Sequence, residues 1–198
     1  RQCWLFAVGS SLFAVATLPG FGGWAGAAAA NALCFVGSWF FTAAAWVQLQ
    51  LSDQTARGEW SSAAVQFIGT VLFNVSTAAA VWTHAVSAER RYVWAPDAAG
   101  SLAFLVSAVI GLSAVAAAVG SVDLRRRQWA AAVVNVVGCL AFGVSAVAAH
   151  VGRTGVTADP RLATAGTFVG ALCFLVAALI VLPRRSAGPS AHAHATSS

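Results

Sequence analysis

Long runs of apolar residues dominate the chain, and short polar breaks separate them. The runs cover residues 3–18, 25–51, 60–83, 98–122, 129–151 and 163–182. A helix of roughly 20 apolar residues crosses the ~30 Å hydrocarbon core of a bilayer. Because the runs are continuous and do not alternate between apolar and polar residues, they predict helices rather than barrel strands. We therefore expect an all-α integral membrane protein with six transmembrane helices.

The apolar pattern ends near residue 183. We expect a transmembrane domain over residues 1–183 and a disordered cytoplasmic tail over residues 184–198, because the tail has few residues to bury. Position 1 is Arg rather than Met, so further residues are expected to precede it.

Composition excludes a water-soluble fold. Hydrophobic residues make up 59% of the chain and charged residues 9%, whereas soluble domains carry about 25% charged residues. The net charge of +5 comes from arginines at the ends of the apolar runs. This placement indicates membrane orientation, and it disfavours nucleic acid as a partner.

The arginines are unevenly divided between the two predicted sides of the membrane. One side holds Arg1, Arg57, Arg125, Arg126, Arg127, Arg184 and Arg185, and the other holds Arg90, Arg91, Arg153 and Arg161. Because cytoplasmic loops are enriched in basic residues, this division predicts cytoplasmic termini in a multi-pass protein of the cell inner (plasma) membrane.

Each apolar run contains a glycine, then a small residue, and a phenylalanine four positions after the glycine. The pairs are Gly9 and Phe13, Gly37 and Phe41, Gly69 and Phe73, Gly100 and Phe104, Gly138 and Phe142, and Gly170 and Phe174. Random placement of these residue types would give roughly one such pair, so the pattern is an internal repeat. Residues four apart share a helix face, and small residues let helices approach closely in lipid. The repeat therefore predicts helix-packing positions.

Alternate runs are more alike than neighbouring runs. Trp60 and Trp129 each stand nine residues before the glycine of their run, and residues 100–107 resemble residues 170–177. We interpret the chain as three repeated helical hairpins, at about 1–51, 60–122 and 129–183. Trp39 and Trp46 lie inside the second run and are expected to pack within the bundle.

Residues 35–48, 68–77 and 166–174 resemble the YrhK-like bacterial membrane proteins, in which a two-helix unit carries a Gly-Ser-x-x-Phe signature. The later runs depart from that signature, with Cys139 and Ala171 after the glycine. The resemblance implies a membrane location and brings no activity with it.

Few polar residues interrupt the runs, and no charged residue falls in the middle of one. Asn74 and Asn135 are candidates either for interhelical hydrogen bonds or for weak ligand binding. The acidic residues are expected in loops, and no catalytic or phosphate-binding motif is present. We therefore expect no enzymatic activity and no cofactor.

His84 and His150 fall near the outer ends of the third and fifth runs, fifteen and twelve residues after Gly69 and Gly138. Two imidazoles on one side of a membrane are a candidate metal site, although a complete site needs more ligands. The alternative is that both histidines are solvated interfacial residues.

Two functions remain open. The first is a non-enzymatic scaffold or accessory subunit that binds membrane lipids and a membrane protein partner or a second copy of the chain. The second is a transporter or channel for small molecules or ions along the axis between the hairpins. An axis filled with phenylalanine favours the first, and an axial cavity containing Asn74 and Asn135 favours the second.

Overall fold

The computed structural model describes residues 1–82, 85–152 and 154–183. Its helices, in chain order, are α1 (Gln2–Ala16), α2 (Phe21–Ala25), α3 (Ala27–Leu51), α4 (Arg57–Trp82), α5 (Val86–Ala88), a π-helical segment (Glu89–Trp94), α6 (Ala95–Val119), α7 (Arg127–Ala148) and α8 (Pro160–Ile180). The fold is all-α.

Five helical stretches among the described residues are long and apolar enough to cross a membrane, which identifies a membrane protein. They are Ala27–Leu51, Arg57–Trp82, Val86–Val119, Arg127–Ala148 and Pro160–Ile180. The first predicted span is the shorter apolar helix α1, whose 15 residues extend about 22 Å. It ends just before Pro19 and before Gly20, whose positive φ of 89° turns the chain.

The helical stretch that ends at Val119 begins earlier than the sequence indicated. Residues 87–97 read as a polar break, yet α5, the π-helical segment and α6 follow one another without a gap. Pro96 lies at the start of α6, directly after the π-helical segment, where its missing N–H interrupts a ladder that is already irregular. Asp97, which we expected in a loop, is therefore in the first turn of α6.

In the described part of the chain, six helices form a closed ring. We call α1, α3, α4, α6, α7 and α8 the ring helices. The closest packing joins α1 to α3, α4 to α6, and α7 to α8. Contacts of α3 with α4, α6 with α7, and α8 with α1 complete the circle. Each ring helix therefore has two neighbours and one face directed at a common axis.

The outer surface of the ring is apolar, as lipid contact requires. Large apolar side chains on every ring helix are exposed, including Ile68, Leu102, Leu140 and Val169. Trp39 and Trp46 are 58% and 50% exposed, so the expectation that they pack within the bundle was wrong. They share the outward face of α3, because residues seven apart lie on the same side of a helix.

Candidate functional site

Glycine and phenylalanine of the repeat contact each other across each helix pair. A Cβ atom on Gly69 would lie 2.7 Å from Cδ1 of Phe104, and one on Gly100 would lie 2.6 Å from Cδ2 of Phe73. Gly9 differs, because a Cβ atom there would lie nearest the Gly37 carbonyl oxygen, at 3.0 Å, and would be 3.4 Å from the Phe41 ring. The same reciprocal contact as at Gly69 and Gly100 joins Gly138 to Phe174, Gly170 to Phe142 and Gly37 to Phe13. These positions need glycine because the opposite ring occupies the space that a side chain would take.

The small residue after each glycine lies in a fully buried position. Its side chain is 0–2% exposed in all six cases, which are Ser10, Ser38, Thr70, Ser101, Cys139 and Ala171. Two of these side chains bridge neighbouring pairs: Ser38 Oγ lies 3.0 Å from Thr77 Oγ1, and Cys139 Sγ donates to the Phe104 carbonyl at 3.4 Å. Two of the small residues therefore also contribute to packing between pairs, and the glycine acts within its own pair.

The phenylalanines of the repeat meet on the axis of the ring. We call Phe13, Phe41, Phe73, Phe104, Phe142 and Phe174 the phenylalanine layer. Ring centroids within the three pairs are 5.4, 5.0 and 5.1 Å apart. Phe13, Phe73 and Phe142 also contact one another, at 5.7 to 6.5 Å. Aromatic rings at these separations are in contact, so the layer closes the axis.

On one side of the phenylalanine layer the axis opens into a cavity of about 320 Å³, which we call the axial cavity. Phe174 and Phe6 line it, together with residues from every ring helix. Its apolar wall includes Ala108, Leu112, Val115, Ala131, Ala132, Ala178 and Val181. The cavity lies at the end of the ring where α1, α4 and α7 begin, which is the side predicted to be cytoplasmic.

Five amide side chains converge on the axial cavity. Gln66 and Asn135 stand three residues before Gly69 and Gly138, and so they lie one helical turn before the glycine and about two turns before the phenylalanine of their own helices. Gln2, Gln48 and Gln128 lie nearer the mouth, where a second volume of about 380 Å³ continues outward past Ser52 and Glu59. The Oε1 atom of Gln2 is buried and, within the described residues, has no hydrogen-bond partner.

Charged groups lie at the helix ends on the side of the mouth, and none of those that the structure describes lines the axial cavity. Arg127 donates hydrogen bonds to the backbone carbonyls of Ile180 and Leu182 and so caps the end of α8. In the loop between α3 and α4, hydrogen bonds from the side chain and backbone of Thr55 lower the pKa of Asp53. Asp53 therefore stays ionised at neutral pH.

The two asparagines of the sequence analysis lie in different surroundings. Asn74 Nδ2 donates to Thr42 Oγ1 at 2.8 Å and so links α4 to α3. Asn135 lines the axial cavity, and Asn74 does not. The structure therefore does not bring the two candidate ligand-binding residues together, because Asn74 is turned toward the neighbouring helix.

The candidate metal site cannot be assembled from the described residues. His84 lies outside them, and His150 is an exposed residue just beyond α7 whose ring lies 4.6 Å from that of Trp94. Residues 1–82, 85–152 and 154–183 contain no group of three or more His, Cys, Asp or Glu side chains that could hold a metal ion. Metal binding by His84 and His150 stays a prediction.

Sequence reasoning offered an axial cavity only as the alternative and named one of its five amides, Asn135, because it treated each polar residue alone. The register of the repeat contains the signal that was needed. Gln66 and Asn135 occupy one position relative to the glycine of their helices, and residues at one repeat position face the same axis in a ring. Gln2 and Gln128 fall just before the apolar runs 3–18 and 129–151, outside the segments in which polar residues were considered.

No protein-family model, no curated protein and no solved structure matches this chain.

Proposed function

We propose that the chain is a non-enzymatic, multi-pass protein of the cell inner membrane that acts as a scaffold or accessory subunit. In this proposal the ring helices cross the membrane as three hairpins with both termini in the cytoplasm. The partner is a membrane protein or a lipid at the outer surface of the ring.

The phenylalanine layer is the observation that carries this proposal. Five of its members are at most 5% exposed, and rings from all three helix pairs contact one another. A channel or transporter, which is the alternative, needs a polar or opening path through the middle of the bundle. A layer of interlocked rings offers no group that replaces the hydration shell of an ion or polar solute.

The repeated contacts support the arrangement as three hairpins. Each pair uses the same exchange of glycine and phenylalanine, with the glycine of either helix against the ring of the other. The same motif supports the proposed kinship with YrhK-like proteins, and the surplus of arginines on one side supports the orientation.

The exposed tryptophans of α3 suggest where a protein partner binds. Trp39 and Trp46 stand two and nine residues after Gly37, and the matching positions of α6 are occupied by Leu102 and Val109. Tryptophan favours the membrane interface over the hydrocarbon centre, whereas Trp39 lies at the level of the phenylalanine layer. A partner that covers both indoles removes this mismatch.

Solute flux into reconstituted vesicles tests the choice between scaffold and conduit. We expect K⁺ and urea to enter vesicles containing the protein no faster than they enter protein-free vesicles, with a pore-forming peptide as the positive control for K⁺. Saturable entry of either solute above the protein-free rate would overturn the scaffold and favour the conduit.

Replacement of the tryptophans tests the partner surface. The double variant Trp39→Leu/Trp46→Val gives α3 the residues that α6 carries at the same positions. We expect it to lose, in mild detergent, a membrane protein that co-purifies with the wild type. The control variant Leu102→Ala/Val109→Ala should retain that protein. If both variants recover equal amounts of the co-purifying protein, the tryptophan face of α3 is not the partner surface.

A further inference from the structure

The axial cavity combines three properties of a ligand site. Its volume of about 320 Å³ falls within the range of roughly 300–1,000 Å³ for small-molecule pockets. Most of its wall is apolar, and a few polar groups converge on it from different helices. The phenylalanine layer makes it blind at one end, so a molecule that enters is retained rather than passed on.

The polar groups indicate a neutral ligand. None of the described residues that line the inner cavity carries a charge, and Glu59 appears only in the outer volume. Transfer of an ion into such a place would be costly without an opposite charge. A primary amide both donates and accepts, so it pairs with hydroxyl, carbonyl and amide groups.

The amides have no evident structural task. In the part of the chain that the structure describes, Asn135, Gln66 and Gln48 form no side-chain hydrogen bond, whereas Asn74 joins two helices. Gln2 buries an oxygen without a partner. A buried polar group left unpaired costs about 1–3 kcal/mol, and a ligand that pairs with it recovers part of that cost.

The depth of the groups orients the ligand. Phe174, a member of the phenylalanine layer, offers aromatic surface at the closed end. Phe6, Gln66 and Asn135 share one position of the repeat, one helical turn before the glycine and about two turns before the phenylalanine of their own helices. We propose that the axial cavity binds a small uncharged molecule in which a compact apolar body carries amide, carbonyl or hydroxyl groups. The apolar body packs on Phe174, and its polar group bonds to Gln66 and Asn135. This proposal is independent of any protein partner.

Fluorinated probes of equal shape and different charge test the proposal. The neutral probes are 4-fluorobenzamide and 4-fluorophenol, and the charged probes are 4-fluorobenzoate and 4-fluorobenzamidinium. Binding to the purified protein in detergent is followed by the width of the ¹⁹F resonance. We expect saturable broadening with at least one neutral probe and at least tenfold weaker binding of both charged probes.

Two variants of different kinds locate the binding. Gln66→Leu/Asn135→Leu removes the amides at nearly constant volume, and Ala132→Phe fills the cavity while retaining them. Each variant should bind the neutral probe at least fivefold more weakly than the wild type does. Each should also elute and melt like the wild type. Gln50→Leu is the matched control, because Gln50 is exposed and stands two residues from Gln48 on α3. It should bind as the wild type does.

Three outcomes would overturn the proposal that the axial cavity binds an uncharged molecule. Failure of both neutral probes to bind saturably would overturn the proposal, as would tighter binding of a charged probe. Binding that survives in both cavity variants would place the probe elsewhere, and this would also overturn it. Probe binding and solute flux are separate measurements, so failure of the cavity proposal and failure of the scaffold proposal can be told apart.

Discussion

The phenylalanine layer and the axial cavity are built by the same helices, about one to two turns apart, yet one is closed and the other is open. In the layer every helix contributes the same residue, Phe, four positions after glycine. Three positions before glycine, the residues are Phe6, Gln66 and Asn135 on the helices that begin near the cavity. The other three helices end near the cavity, so their residues at this repeat position, which are Cys34, Asp97 and Thr167, do not line it.

The difference shows that different positions of one repeat can have different roles. Identical residues at one level allow similar contacts in each pair, so the rings of the layer pack against one another. Different residues at another level cannot all interlock, and a space remains on the axis. The positions that are identical in all six helices therefore form the closed layer, and the positions that differ line the candidate site.

The largest loss of stability is expected from a cavity made in the phenylalanine layer. Phe142→Ala should lower the free energy of unfolding by about 3–5 kcal/mol, because Phe142 is 3% exposed and contacts Phe73 and Phe174. Unfolding in mixed detergent measures this. The control is Phe67→Ala, since that ring is partly exposed beside Trp46. Equal losses would mean that the layer is not the centre of stability.

A smaller loss is expected from overfilling a glycine position of the layer. Gly138→Ala should cost about 1–3 kcal/mol, because the new Cβ would lie 2.7 Å from Phe174. Gly143→Ala in the same helix meets no atom within 4 Å and should be nearly neutral. Thermal unfolding of the two variants in one detergent compares them directly. The packing account of the repeat fails if both melt with the wild type.

The hydrogen bonds beside the cavity should contribute less. Ser107 Oγ donates to the Ser62 carbonyl at 2.7 Å, and Ser62 Oγ donates to the Ser107 carbonyl at 2.9 Å, which joins α4 to α6. Ser107→Ala should cost about 1 kcal/mol. Ser113→Ala removes an exposed bond within α6 and is the control. A greater cost for Ser113→Ala would contradict this assignment.

The smallest effect is expected from a cavity amide. Gln66→Leu should change the free energy of unfolding by less than about 0.5 kcal/mol, because its amide joins no helices in the described structure. Asn74→Leu breaks the bond to Thr42 and should cost about 0.6 kcal/mol or more. Unfolding curves of the two variants are compared. A larger loss for Gln66→Leu would make the cavity amides structural, which would argue against a ligand site.

The sequence predicted where the helices begin and end better than it predicted which of their side chains face the axis, a neighbouring helix or lipid. Apolar runs identify segments that must be helical in lipid, so the positions of α3, α4, α7 and α8 could be predicted to within a few residues. The prediction was wrong for residues 87–97, because their polarity resembles that of a loop. Contacts of the π-helical segment with α4 and α6 hold these residues in a helix.

The candidate site was harder to predict, because polarity does not tell which way a side chain faces. Asn74 and Asn135 have the same side chain, and only the packing of α3 against α4 separates their roles. The exposure of Trp39 was missed for a similar reason. An apolar residue in a membrane protein gains little from facing inward, since lipid is apolar as well.

The pattern of contacts also has a consequence for how the protein is made. Each exchange of glycine and phenylalanine joins two helices that follow one another in the chain, so a pair can close as soon as its second helix enters the membrane. The contact of α1 with α8 joins helices that are far apart in the chain and can form only after α8 has been synthesised. These contacts allow the pairs to close before the ring does, and the wall of the axial cavity is complete only once α8 is in place.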